Sequence, residues 1–164
     1  MATAFSGKIR TTIISSEGSD IAVMIASPKI PRYPEGAGIV VVASPIFTPT
    51  SGFIIDPDLS SLGLIQVSYL WPGETDPRSG AVSTGAFDYG GAHSVNILRD
   101  VIRFAANRMP DKSGRYIVSM TSVPPLVPGL FATLRTSATR PAAPRGLLPG
   151  FRLPPPRGCR SPFP

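Results

Sequence analysis

Gly38-Ile39-Val40-Val41-Val42-Ala43 decides the fold, because it is the strongly apolar part of Gly36–Ala43, the longest run of the chain without a charged, polar or proline residue. Its apolar residues are continuous and mostly β-branched, where a sheet with one wet face would alternate them with polar ones. Such a run predicts a strand covered on both faces, as in the middle of a largely parallel sheet. It stops at Ser44-Pro45. A second run of the same character, Gly63-Leu64-Ile65-Gln66-Val67-Ser68-Tyr69, predicts another buried strand. Between them, Asp56 is placed to cap a short helix with Pro57 at its first position, Leu59 and Leu62 facing inward. Strand, connector and strand together make a βαβ unit, which is right-handed by a strong general rule.

Upstream, Lys8–Ser15 is rich in Ile and Thr and reads as a strand. Glu17-Gly18-Ser19-Asp20 is turn chemistry, and Ile21–Ala26 is a second apolar run. They predict an antiparallel hairpin with a slightly long loop. Pro28, Pro31 and Pro34 mark the connection from the hairpin to residue 38. Downstream, Trp71–Gly91 reads as a long Gly-containing loop, of a length unusual without a function or disorder. Ser94–Met109 then carries an amphipathic stripe of Leu98, Val101, Ile102, Ala105 and Met109, with Ser94 as N-cap and Pro110 as terminator. Gly114–Ser119 is expected to begin one more strand.

Past that point the composition changes. Residues 1–120 hold 10 Lys+Arg and 10 Asp+Glu, whereas residues 121–164 hold six Arg, no acid and 11 of the 20 prolines. The formal charge of +6 therefore belongs to the last 44 residues. A basic chain ordinarily suggests nucleic acid or an anionic membrane as partner. Here the charge describes a tail, so neither partner is expected. The reading divides the chain into a partial α/β domain, 1–120, and a disordered Pro/Arg-rich tail, 121–164, with polyproline II character at Leu153–Arg157. A Pro/Arg/Ala/Gly mixture is also what GC-rich coding DNA yields out of frame, so residues beyond about Met120 are expected to come from a shifted frame or a misplaced gene end.

Cys159 is the only cysteine, which excludes an internal disulfide and a cysteine-built metal site. No apolar run approaches the ~20 residues that span a bilayer, and Met1–Arg10 lacks the apolar stretch of a secretion signal. The expected location is cytoplasmic.

The order hairpin, loop, buried strand, connector, buried strand, Gly-rich loop and amphipathic helix resembles the front part of the α/β-hydrolase superfamily. Residues carry the likeness as well as order. Pro34-Glu35-Gly36-Ala37 and the run through Ser44-Pro45 resemble the strand leading into that family's oxyanion loop. Gly63–Tyr69 resembles the next strand, and the glycines of Gly85–Gly91 with Asp100-Val101 resemble the loop and helix before the nucleophile. The likeness covers about residues 8–118. It implies a truncated α/β-hydrolase-like sheet, no cofactor and no metal, and, in intact relatives, cleavage of small ester, amide or peptide substrates through an acyl-serine. It also implies that a backbone N–H after the residue-38 strand helps to hold the oxyanion. Pro45 has no N–H, so Ile46 or Phe47 would be the donor.

The decisive motif of that family, Gly-x-Ser-x-Gly on a strained strand-to-helix turn, is expected after the strand near Tyr116–Ser119. The chain instead has Ser119-Met120-Thr121-Ser122-Val123-Pro124-Pro125, and the prolines oppose a following helix. No Asp, Glu or His follows Ser122, so the later triad members are missing too. The expectation is therefore no catalytic residue. His93, the only histidine, with Asp88 as a conceivable orienting carboxylate, has no nucleophile at recognisable spacing and reads as a surface or capping residue. Asp56, Asp58, Glu74 and Asp76 lack calcium-loop spacing and read as solvated loop acids. Two function classes stand: a hydrolase piece that is inactive as written, or a non-enzymatic interaction protein whose tail, through Pro141-Ala142-Ala143-Pro144-Arg145, docks on an SH3-type groove.

Overall fold

A computed structural model describes residues 7–43 and 52–126. They form a mixed α/β fold: a four-stranded sheet with one α-helix packed on a face. The strands are β1 (Lys8–Ser16), β2 (Ser19–Ser27), β3 (Ile39–Val42) and β4 (Ile65–Tyr69), in the spatial order β1-β2-β4-β3. β1 and β2 pair antiparallel, β2 pairs antiparallel with β4, and β3 runs parallel to β4. The α/β class expected from the two apolar runs is what the chain adopts.

The hairpin is tighter than the sequence reading had it. Ser16 pairs with Ser19, leaving Glu17 and Gly18 as a two-residue turn, both with positive φ (50° and 76°). That is the turn whose twist matches the strands it joins. Gly18 adopts it without strain, and Glu17 is a non-glycine residue held in the left-handed region.

β2 and β4 are the interior strands; β4 is buried along its whole length, and β2 everywhere but at Asp20. Ile14, Ile21, Val23, Ile25, Ile65, Val67 and Tyr69 point to one face, where the helix α1 (Ala92–Ala105) covers them with Ile97, Val101, Phe104 and Ala105. Val101 and Ala105 of the expected stripe are buried there, joined by Ile97 and Phe104 in place of Leu98 and Ile102. Leu98 and Met109 are only half-buried and Ile102 is exposed, because Phe104, not Ile102, reaches the sheet. Two buried hydroxyls fasten β1 to what lies above it: Ser16 Oγ donates to Asp100 Oδ2 of α1 at 2.8 Å, and Thr12 Oγ1 to Asp111 Oδ2 at 2.7 Å.

The other face of the sheet holds a smaller core of Ala22, Met24, Leu70 and Phe53. Gln66 and Ser68 of β4 point there too and are fully buried. They are satisfied by the connector: Gln66 accepts from Leu59 N–H and donates to the Ile54 carbonyl, and Ser68 Oγ accepts from Ile54 N–H. Two polar residues in a core strand are therefore the anchor of segment 52–59.

Three further expectations are corrected. β3 is not a doubly covered central strand: it lies at the sheet edge and Ile39–Val42 are all half-exposed. The connector helix is a short 3-10 turn, Leu59–Leu62, capped by Asp58, not Asp56, and Leu62 points to solvent. Asp58 is the cap because its carboxylate accepts from Ser60 N–H at 3.0 Å, one of the donors that the start of the turn leaves open. Finally, Gly114–Ser119 is not a strand. Ile117–Ser119 forms a second 3-10 turn, and the chain reaches the sheet only later. At Pro125 it pairs in parallel with Ala37 on the side of β3 away from β4: Ala37 N–H donates to the Pro124 carbonyl and Leu126 N–H to the Ala37 carbonyl, both at 2.9 Å.

Candidate functional site

Parallel strands place their chemistry at their C-terminal ends, where the following loops converge. Here that end is the finish of β4 and the loop 70–91. Tyr69 and Trp71 stack edge to face with ring centroids 4.9 Å apart, and Trp71 continues through Phe87 (5.5 Å) to Tyr89 (5.2 Å), which is exposed. The aromatic file runs from core to surface. At its buried end the Tyr69 hydroxyl is fully enclosed and, among the described residues, has no hydrogen-bond partner. Burial pushes its pKa up, and the nearby Glu74 carboxylate pushes it in the same direction. Glu74 accepts from Trp71 N–H at 3.0 Å, and its own pKa is raised by partial burial.

The beginning of α1 lies beside this file. Gly91 is its N-cap and offers no side chain, so Asp88 fills the role from outside the helix. Its carboxylate accepts from His93 N–H (2.9 Å), Ser94 N–H (3.1 Å) and the Ser94 hydroxyl. The Ser94 hydroxyl bond, opposed by desolvation and helped by the backbone bonds, holds the Asp88 pKa below the usual carboxylate range. The sequence reading put Ser94 at the N-cap. It lies one turn further in, because Gly90 (φ 83°) and Gly91 swing Asp88 back over the helix start. Asp88 therefore meets the backbone of His93, and the four unpaired N–H groups of a helix start explain why it does so. The pair caps a helix.

Of the serines considered for catalysis, Ser119 Oγ donates to the Tyr116 carbonyl at 2.8 Å within its 3-10 turn, and Ser122 is exposed. Neither stands at a strand-to-helix bend. Ile46 and Phe47, the oxyanion-loop candidates, lie outside the described residues, as does the tail with Cys159 and its proline motifs. Asp58 caps the connector turn, and Asp76 is not the solvated loop acid expected: it is buried and accepts from Ser79 N–H in its own loop and from Phe53 N–H of the connector. Among the described residues no three His, Cys, Asp or Glu side chains come together as a metal would need. A shallow groove of about 260 Å³ lies between Lys29, Ile30, Ser60 and Ser61. Its one short serine–carboxylate contact, Ser60 Oγ to Asp58 at 2.5 Å, lacks a histidine and belongs to the turn cap. Among the described residues no helix is long and apolar enough to cross a membrane.

Sequence reasoning missed the Tyr69–Trp71–Phe87–Tyr89 file and the orphan hydroxyl. The aromatic residues were visible, but their convergence depends on how a long loop folds back, which no local pattern encodes.

No protein-family model matches the sequence, and no curated protein matches it. Among solved structures, the chain is similar to an alpha-beta serine hydrolase homologue from Coxiella burnetii, at 20% sequence identity and a TM-score of 0.41, over 70% of this chain and 50% of that one. The chain thus spans about half the length of that protein.

Proposed function

We propose that the chain is the front part of an α/β-hydrolase-like domain that is inactive in acyl transfer as written. The observation that carries this reading is the pairing of Pro124–Leu126 with Ala37. It supports a chain that runs in register with the fold as far as the flank of β3, so the next strand would be laid there and the nucleophile turn would follow it. That position is later than Ser119, and the tail offers nothing suitable. No Gly-x-Ser-x-Gly occurs anywhere in the sequence, and Asp111 is the last acid. Covalent catalysis by serine needs a base to take its proton and a carboxylate to orient that base. His93 is the single histidine; its backbone is held by Asp88 at a helix start, where the hydroxyl of the adjacent Ser94 is committed to Asp88.

Substrate class follows the same reading: small esters, amides or peptides in proteins that keep the whole domain. Residues beyond about Met120 would derive from a shifted frame or misplaced gene end. The test is steady-state hydrolysis of an activated acetate ester by the purified chain. The expected rate is that of buffer plus the weak general-base background of any protein. A saturable rate abolished by a serine-directed phosphonate would contradict the proposal.

A second reading is favoured by one feature, the +6 charge confined to residues 121–164 with its Pro-x-x-Pro segment. In it the chain is a non-enzymatic binder whose tail docks on an SH3-type groove. A pull-down with isolated SH3 domains, lost on Pro141→Ala together with Pro144→Ala, would support it.

A further inference from the structure

We propose that the outer edge of β3 is a pairing surface for the same strand of a second copy of this chain, with Val41 on the two-fold axis. The argument does not depend on the hydrolase reading.

The backbone groups of β3 alternate in direction. Gly38 turns its carbonyl toward β4, where it accepts from Ile65 N–H at 2.8 Å, while Ala37 faces outward and meets Pro124 and Leu126. By the same alternation Ile39 and Val41 direct both N–H and C=O outward. Among the described residues nothing bonds to these four groups, and the strand is half-exposed. An unpaired edge of this kind is a template for another strand.

The chain's own continuation is a poor occupant. If the pairing opened at Ala37 went on in register, the residue donating to the Ile39 carbonyl would be residue 128, two beyond Leu126. Residue 128 is Pro, which has no N–H. The strand itself favours a like partner: Gly38–Ala43 has no charge and no proline, and high β-propensity without charge marks segments that pair with themselves. The other edge of the sheet, β1, carries Lys8 and Arg10 on its exposed half, the usual guard against pairing. One open edge per copy closes on itself as a two-fold dimer and does not propagate.

The register is then fixed by what flanks the strand. With Val41 opposite Val41 of the second copy, those two residues exchange both bonds, and Ile39 exchanges both with Ala43 of the second copy. A shift toward Ala37 would bring Ala43 of the second copy to the place Pro125 occupies. A shift the other way would set Pro45 of the second copy against Ile39, again without an N–H. Only the register centred on Val41 satisfies all the outward groups. A five-residue edge is small beside the roughly 1,200–2,000 Å² of a standard interface. The association is therefore weak, with a Kd on the order of micromolar to millimolar.

The test combines sedimentation of the full chain over a wide concentration range with amide hydrogen exchange at Ile39 and Val41. The expected result is a monomer–dimer equilibrium in which exchange at these two amides slows by roughly tenfold from the dilute to the concentrated sample. Val41→Pro removes an outward donor together with the packing of the Val41 side chain on the helix-covered core, and Val40→Lys places like charges across the two-fold. Both are expected to keep the Trp71 emission of the folded chain and to remain monomeric. A chain that stays monomeric at all concentrations overturns the proposal. So does self-association that leaves Ile39 and Val41 exchange unchanged. Should either variant unfold, the concentration dependence of exchange in the unsubstituted chain decides alone.

Discussion

Leu126 donates its N–H to the carbonyl of Ala37 at 2.9 Å, on the side of β3 that faces away from β4. The last described residue of the chain is thus in register with the sheet. Everything the fold can do at that flank depends on keeping residues 124–126 in place, and Gly36 is what permits it. Its φ of 147° is open chiefly to glycine, and a Cβ there would lie 2.3 Å from the Pro124 carbonyl oxygen.

Gly36→Ala is therefore expected to push Pro124 off Ala37 and to cost roughly 1–3 kcal/mol of stability from backbone strain alone. Denaturant unfolding measures the loss, and amide exchange at Ala37 and Leu126 shows whether the pairing opens first. Unchanged protection at both amides would mean that the segment is held by something else.

The contact between sheet and helix rests on Phe104, fully buried among Ile97, Val101 and the apolar face of β2 and β4. Phe104→Ala should destabilise the fold by about 3–5 kcal/mol. Ile102→Ala, on the exposed side of the same helix, should change stability by less than about 0.5 kcal/mol. The pair distinguishes the observed stripe from the one centred on Leu98 and Ile102.

Asp111 is buried and organises the segment after α1. It accepts from Thr12 Oγ1 at 2.7 Å, from Ser113 and Arg115 N–H at 2.9 and 2.7 Å, and from the Arg115 guanidinium at 2.9 Å. Burial alone would raise its pKa. The hydrogen bonds from Thr12, Arg115 and Ser113 outweigh that and hold it below the usual carboxylate value. A depressed pKa in the folded state means that the stabilisation is complete above the unfolded pKa of about 4 and is lost as pH falls through the lower folded value. Asp111→Asn should cost roughly 1–3 kcal/mol at neutral pH and should flatten the acid limb of the stability–pH curve.

Glu74 has the opposite sign. Partial burial raises its pKa, against the pull of the bond from Trp71 N–H. Its ionisation therefore opposes folding, and stability falls as pH rises from the unfolded carboxylate pKa through the higher folded one. Glu74→Gln keeps an acceptor for Trp71 and removes the charge. Its midpoint should exceed that of the parent chain at neutral pH, and the difference should vanish in acid. A variant less stable than the parent at pH 7 would show that the charge is needed.

Much of this architecture was legible in the sequence because it is written in local patterns. Lys8–Ser15 and Ile21–Ala26 with a turn between them can only be a hairpin, and Gly63–Tyr69 reads as a buried strand even with Gln66 and Ser68 inside it. What could not be read depends on neighbours distant in sequence. The apolar run Gly38–Ala43 looks central, but among the described residues its second neighbour is met only at Ala37, so β3 lies at an edge there. Tyr116-Ile117-Val118 has strand composition, yet Ile117 is drawn into the core beside α1 and the segment turns instead. The helix stripe was misplaced in part because Leu98 and Ile102 are as apolar as Ile97 and Phe104, and only the sheet selects between them. For the candidate site, the sequence shows directly that it holds no Gly-x-Ser-x-Gly and no Asp, Glu or His after Ser122, whereas the aromatic file ending at Tyr69 could not be read from it.

Intact-mass measurement after exposure to a fluorophosphonate tests the central claim most directly, since that reagent forms a covalent bond only with an activated serine. The account predicts no adduct on the folded chain beyond that on its denatured form. A single stoichiometric adduct on one serine, absent when the chain is heat-denatured before exposure, would contradict it.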